Sequence, residues 1–192
     1  DIEVQVLSEQ HGHHVHLFER ECSIQRRYQK IVEESPASQM SSELRVQMTQ
    51  AAVKITNAIG YEGAGTVEFI VEGEPQDDSD VAPFFFLEMN TRLQVEHPVT
   101  EAVTGLDLVS WQTRIAQGEP LSFRQSELSQ RGHAIEVRLY AEDPANEFLP
   151  STGTLQLTGE SSGTLKGIRV DSGYRDGNAV TIDFDPMLAK VI

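Results

Sequence analysis

Apolar and polar positions alternate from Ile2 to Ser8, Gln10-His11-Gly12 reads as a turn, and alternation resumes from His14 to Phe18, which predicts a β-hairpin. A polar segment follows from Glu19 to Arg27, and Tyr28 to Val32 is predicted to be extended before Pro36 interrupts it. Leu44, Met48, Ala51, Ala52, Ile55, Ala58 and Ile59 then recur at helical spacing. With Ser41 and Ser42 as N-cap candidates and Gly60 as a stop, they predict a helix over about 42–59. Strands are expected over Thr66 to Glu72 and Phe84 to Asn90, separated by the acidic stretch 74–80, which reads as a solvated connection. A second helix from Leu106 or Asp107 to Ala116 is expected to bury Leu108, Trp111 and Ile115 and to end before Gly118 and Pro120. Past residue 131 the pattern changes to short strands, over Ala134 to Tyr140, Thr154 to Leu157, Ile168 to Asp171 and Ala179 to Asp183. The class is therefore α+β, with one domain over 1–117, a polar linker over 118–131 and a mostly β domain over 132–192.

The two strands around the acidic stretch carry the first chemical signal. If they pair antiparallel about a loop centred near residue 78, partners sum to about 156 and Glu68 faces Glu88. Like charges opposed across a ladder destabilise it, so a positive group is wanted between them. Magnesium or manganese would satisfy the pair through hard carboxylate oxygens, with Asn90 on the same face as Glu88; a solvent-facing strand with hydrated glutamates fits the spacing as well. Continuing at two-residue spacing, Arg92 offers a guanidinium fork for bicarbonate or phosphate, Gln94 can donate or accept beside it, and Glu96 is a candidate base near that cation. An ordinary ion pair between Arg92 and its glutamate neighbours fits equally.

Composition narrows the classes. With 30 acidic and 15 basic residues the formal net charge is −15, which disfavours nucleic acid or an anionic membrane as a partner and requires a local basic cluster for any anionic substrate. The densest such cluster is Arg20, Arg26, Arg27 and Lys30. No apolar run is long enough for a membrane helix, and a cytoplasmic or organelle-matrix setting is expected. The single cysteine, Cys22, permits no internal disulfide; neighbouring arginines are expected to lower its pKa, yet no His and Asn constellation supports a nucleophile. His11, His13, His14 and His16 around the first turn read as solvated histidines ahead of a zinc site, and Trp111 and Phe84 to Phe86 as core. The strand opening directly at Ile2 and the apolar run from Met187 to Ile192 read as the ends of an excised fragment.

Three runs then carry a specific resemblance. Cys22-Ser23-Ile24-Gln25-Arg26-Arg27-Tyr28-Gln29-Lys30, Gly63-Ala64-Gly65-Thr66-Val67-Glu68-Phe69, and Glu88-Met89-Asn90-Thr91-Arg92-Leu93-Gln94-Val95-Glu96-His97-Pro98-Val99-Thr100-Glu101 closely resemble the biotin carboxylases, in order and in spacing. Gly132 to Arg138 and Ala141-Glu142-Asp143-Pro144 extend the match over essentially the whole chain.

The resemblance implies the C-terminal half of an ATP-grasp domain, an antiparallel sheet with helices, followed by part of the family's mostly β C-terminal domain. It implies ATP-dependent carboxylation of carrier-bound biotin through carboxyphosphate, with ATP, Mg2+ or Mn2+, bicarbonate and biotin as the small molecules. A biotin carboxyl carrier domain and a carboxyltransferase subunit are the implied partners within an acyl-CoA carboxylase, and a homo-oligomer is the implied intact state. Carried over by position, Glu68, Glu88 and Asn90 hold metal and ATP phosphates; Lys30, Arg92, Gln94 and the Val95 N–H hold bicarbonate. Glu96 is the implied general base and Arg138 the group stabilising the biotin enolate, while Gln25, Tyr28, Ile70 and Leu87 lie toward the nucleotide. Tyr28 and Asp1 stand where members carry histidine, so weaker nucleotide contact is expected at Asp1. The family's glycine-rich lid and two phosphate-binding lysines have no counterpart here, and the chain by itself is expected not to turn over. Two other readings stay open: another bicarbonate-activating ATP-grasp ligase, such as a carbamoyl phosphate synthetase, and a non-catalytic interaction module.

Overall fold

A computed structural model describes residues 1–73, 81–157 and 167–192; the acidic stretch 74–80 lies outside the described residues. The chain forms two compact units, Asp1–Ile135 and Glu136–Ile192.

The first unit contains strands β1 (Ile2–Ser8), β2 (His14–Arg26), β3 (Gln29–Ser35), β4 (Gly63–Val71) and β5 (Phe84–Asn90). Its helices are α1 (Ser42–Ala58), α2 (His97–Thr104) and α3 (Leu108–Ala116). The strands run antiparallel in the order β3-β2-β1-β4-β5. Central β1 has a neighbour on both sides, and all seven of its residues are buried. Because side chains alternate across a strand, its two faces differ. Ile2, Val4 and Val6 pack with Val67 and Phe69 beneath Leu44, Met48 and Ala52 of α1. On the opposite face Leu7 joins Val15, Leu17, Ala64, Leu108, Trp111 and Ile115, while Glu3 and Gln5 continue the row as buried polar groups.

Helix α1 begins where the sequence places it. The Ser41 hydroxyl accepts the Leu44 N–H at 3.1 Å and satisfies one of the orphan donors of the first turn. Its stripe buries Leu44, Met48 and Ala52 completely, and truncating Met48 to Ala would cost about 2–5 kcal/mol. Ile59, expected in that stripe, falls just past the last turn and is largely exposed. Helix α3 also matches expectation: Asp107 caps it by accepting the Ser110 N–H at 2.8 Å, and Leu108, Trp111 and Ile115 are its buried positions.

The extension expected from Tyr28 to Val32 is present from Gln29 onward as β3, but the polar segment before it differs from its reading. β2 runs on to Arg26, and the chain reverses at Arg27 and Tyr28 rather than extending from Tyr28. Both residues have positive φ, 49° and 65°, as a two-residue hairpin turn requires. The helix α2 was not anticipated: its first turn carries Pro98, its end is set by Gly105 in the left-handed region at φ 75°, and it has no side-chain N-cap.

The second unit holds β6 (Ala134–Tyr140) from Glu136 onward, β7 (Glu142–Asp143), β8 (Leu149–Pro150), β9 (Gly153–Thr154), β10 (Val170–Ser172), β11 (Ala179–Val180) and β12 (Met187–Val191). β12 pairs antiparallel with both β6 and β10, and β7 with β8 and β9 with β11 form short ladders. β6 has the expected bounds, whereas the strands expected near 154 and 179 shrink to two residues each.

Candidate active site

The polar face of the first unit is a grid. Arg20 on β2 stands opposite Glu3 on β1, Glu3 opposite Glu68 on β4, and Glu68 opposite Glu88 on β5, so the register expected from the hairpin is the one observed. The next row sets Gln5 opposite Thr66 and Thr66 opposite Asn90. Arg20, Glu3 and Gln5 are fully buried and Glu68 is 5% exposed, so these charges hold only if they are paired and hydrogen-bonded. They are. The Arg20 guanidinium donates to Glu3 from Nε and Nη2, to Gln5 and Thr100 from Nη1, and to Thr66 and Gln94 from Nη2.

Lys30 enters from the β2–β3 hairpin, opposite Gln25 and two residues beyond the turn. Its ammonium contacts Glu3, Glu96 at 3.0 Å and Glu68 at 3.2 Å. Glu68 Oε1 also accepts from Asn90 Nδ2 at 2.7 Å and from Gln94 Nε2 at 2.8 Å. Asn90 Nδ2 lies 3.3 Å from Glu88 Oε1, and Asn90 Oδ1 accepts from Arg92 at 3.2 Å. Six of the expected residues, Lys30, Glu68, Glu88, Asn90, Arg92 and Gln94, are thus connected by hydrogen bonds, and Glu96 joins through Lys30.

The two-residue rhythm from Glu88 to Glu96 is a strand rhythm only as far as Asn90. The chain then leaves the sheet, and Gln94 and Glu96 are buried, at 5% and 2% exposure, in the turn that leads into α2. His97 Nδ1 lies 2.8 Å from the Gln94 carbonyl, and Val95 sits between the two buried side chains. Glu101 accepts the Leu108 N–H at 2.8 Å, which joins α2 to α3. The sequence alone missed Glu3, Gln5, Thr66 and Thr100, the buried groups beneath the site, and placed Arg20 only in a basic cluster without seeing that it is buried among them; the one available signal was a glutamate, a glutamine and an arginine inside otherwise apolar strands.

Gln25 donates to Asp1 Oδ2 and to the Cys22 carbonyl, each at 3.0 Å. Tyr28, at the hairpin tip, is 98% exposed, and Ile70 on β4 and Leu87 on the edge strand β5 are about half exposed. Phe85 and Phe86 are also more than half exposed, contrary to the core reading. β5 has one neighbour in this unit; Phe84 meets the buried Phe69 edge-to-face at 5.5 Å, and Phe86 meets the same ring at 6.4 Å while staying largely exposed. Arg138 lies on β6 in the second unit, opposite Lys190.

Cys22 corrects another expectation. Its thiol is fully buried, and burial pushes its pKa well up against the smaller opposing pull of Arg20. His16 is pushed down to about 4 by burial, so it is packed rather than solvated, whereas His14 is partly exposed and lies 2.8 Å from the Ser8 hydroxyl. Among the described residues, no histidine belongs to a group of side chains spaced to hold a metal. The groups that are so spaced, Glu3 with Cys22 and Glu96 and Asp1 with Glu3 and Glu68, share glutamates already bound by Lys30 or Arg20. Glu68 and Glu88 differ in that Glu88 has no cation beside it among the described ion pairs. Hard carboxylate oxygens opposed in this way, with the Asn90 amide at hand, fit a divalent ion.

Comparison with known proteins assigns this architecture. Residues 1–124 match the family model described as Carbamoyl-phosphate synthase L chain, ATP binding domain, which makes the first unit part of an ATP-grasp domain. Residues 136–192 match the Biotin carboxylase C-terminal domain. The chain belongs to the biotin carboxylase family. It is 54% identical over 191 residues to Biotin carboxylase 2 of Bacillus subtilis (strain 168), covering all of this chain and 41% of that protein. It is 51% identical over 193 residues to the mitochondrial methylcrotonoyl-CoA carboxylase subunit alpha of Dictyostelium discoideum, covering all of this chain and 26% of that one. A crystal structure of the biotin carboxylase domain dimer of Hydrogenobacter thermophilus 2-oxoglutarate carboxylase, in complex with MgADP, ADP and bicarbonate, superposes with a TM-score of 0.88. The two are 45% identical, over 99% of this chain and 40% of that one. The chain thus spans between a quarter and two fifths of the length of these proteins.

Proposed function

We propose that the protein containing this chain carboxylates carrier-bound biotin, using ATP and bicarbonate through carboxyphosphate, as the biotin carboxylase component of an acyl-CoA carboxylase. The observation that carries the reading is the buried cluster in which one ammonium, Lys30, is shared by Glu96 and Glu68, with Gln94 bonded to Glu68 and Arg92 to Asn90 at its rim.

The chemistry follows from those positions. Lys30 and Arg92 supply the cationic donors that a small planar anion needs in a protein of net charge −15, and Gln94 with the Val95 N–H adds neutral ones. Glu96, held 3.0 Å from Lys30 and shielded from water, takes the bicarbonate proton as a bicarbonate oxygen attacks the γ-phosphorus of ATP and ADP departs. Lys30 and Arg92 stabilise the negative charge that develops on the phosphorylated product. A divalent ion held by Glu68 and Glu88, with Asn90 beside them, would neutralise phosphate charge on the nucleotide. Gln25, Tyr28, Ile70 and Leu87 are assigned to the nucleotide side. Arg138 is assigned to biotin, where its guanidinium stabilises the enolate of the ureido group.

The biotin carboxyl carrier domain and a carboxyltransferase subunit are the proposed partners, with pairing of two copies and a cytoplasmic or organelle-matrix setting. Among the described residues no helix is long and apolar enough to cross a membrane. The test is phosphate release from Mg-ATP by the full-length protein, with and without bicarbonate and free biotin, beside Glu96→Gln. Bicarbonate-dependent release that biotin stimulates and the substitution abolishes is expected; release indifferent to bicarbonate would refute it.

A further inference from the structure

Arg20 is fully buried, carries no assigned role and donates to five side chains beneath the site, Gln94 among them. A guanidinium has five N–H donors in a rigid fork. Here Nε serves Glu3; Nη1 serves Gln5 and Thr100; Nη2 is shared by Glu3, Thr66 and Gln94, which leaves none spare. One planar group therefore joins β1, β4, the turn before α2 and α2 itself.

Two of these bonds reach the anion pocket. By donating to Gln94 Oε1 at 2.9 Å, Arg20 fixes which end of that amide is the acceptor, so Nε2 is the end presented toward Glu68. By binding Glu3 Oε2 at 2.9 Å and 3.1 Å, it holds a carboxylate whose other oxygen grips Lys30. Lysine could not substitute: its compact ammonium has three donors and no fork.

Resting on the function proposed above, we propose that Arg20 is a positioning residue for bicarbonate, acting through Gln94 and through Glu3 on Lys30. The expected signature is selective, because misplacing a binding group by about 1 Å costs up to about 100-fold, while Gln25, Tyr28, Ile70 and Leu87, assigned to the nucleotide, are not among the hydrogen-bond partners of Arg20.

In the full-length protein, Arg20→Lys is expected to raise the KM for bicarbonate about 10- to 100-fold and to leave the KM for ATP within about twofold. Thr100→Val is the structural control. It removes one acceptor from the same guanidinium, 3.0 Å from Nη1, and touches neither Gln94 nor Glu3. It is expected to lower Tm without moving the KM for bicarbonate. If both Michaelis constants rise together in Arg20→Lys, or if Thr100→Val shifts the bicarbonate constant as far, the role is structural and the proposal fails. Where Arg20→Lys does not fold, the near-isosteric Glu3→Gln carries the comparison, and an unchanged bicarbonate KM in it overturns the proposal. A wild-type enzyme without bicarbonate-dependent phosphate release overturns the function, and Arg20's part in it, in a way that a parallel loss in the variant alone does not.

Discussion

Glu68 and Glu88 face each other across the β4–β5 ladder, and the Asn90 side-chain amide donates to both carboxylates. Opposed like charges weaken a ladder, whereas a divalent ion between them would bind more tightly for the same reason. Glu88→Gln is therefore expected to act in two directions. Without metal the folded state gains up to about 1 kcal/mol, and Mg-ADP affinity falls about tenfold, or about 1.4 kcal/mol. Thermal unfolding with and without Mg-ADP reads both; a variant that loses stability without metal and keeps its nucleotide response would show that Glu88 is not a ligand.

Lys30→Met removes the cation shared by Glu3, Glu68 and Glu96. Breaking a largely buried ion pair from one side costs about 3–5 kcal/mol, because the carboxylates stay behind uncompensated. Urea unfolding at neutral pH should show that loss along with the loss of phosphate release. A drop under about 1 kcal/mol would mean that the three carboxylates are hydrated instead.

His16 sets a pH dependence. Burial pushes its pKa down to about 4 in the folded protein, from an ordinary value of 6.5. Between those two values the unfolded chain binds more protons than the folded one, so the stability difference is fully present above 6.5 and shrinks as pH falls toward 4. The term is bounded at about 3 kcal/mol. His16→Gln should flatten the decline of the unfolding free energy over that window relative to wild type. Parallel profiles for the two proteins would rule the titration out.

The Cys22 thiol is buried with a raised pKa, so it should resist a thiol reagent such as DTNB at neutral pH in the native state and react once urea unfolds the unit. Fast reaction of the native protein would show that the β2 region opens locally.

What could be read beforehand divides along the range of the interactions. The facing of Glu68 and Glu88 was legible because a hairpin register follows from a loop centre and a two-residue period, and α1 was legible because Ser41, the Leu44 stripe and Gly60 are local signals. The α2 start was missed because Glu96 makes no side-chain cap bond and the alternation of polar residues runs straight through the place where the strand ends. Glu3 was passed over, and Arg20 was read only as one of a basic cluster, because their partners are remote: Thr66, Gln94 and Thr100 lie 46, 74 and 80 residues along from Arg20. Alternation cannot separate a buried charge with a distant partner from one facing water. The same limit applies to Phe85 and Phe86, whose exposure depends on β5 having a single neighbour rather than on their own chemistry.

The turn at Arg27 and Tyr28 works as a ruler. Lys30 comes two residues after it, so the turn's length, not its composition, decides which side of the sheet receives the ammonium. One inserted residue would send Lys30 to the opposite face and leave three acids without their common cation. Swapping both turn residues for Asn-Gly would instead relieve two left-handed backbone conformations and leave the measurement unchanged. The residue at position 28 is therefore free to vary as far as placing Lys30 is concerned, whereas the count between Gln25 and Lys30 is not.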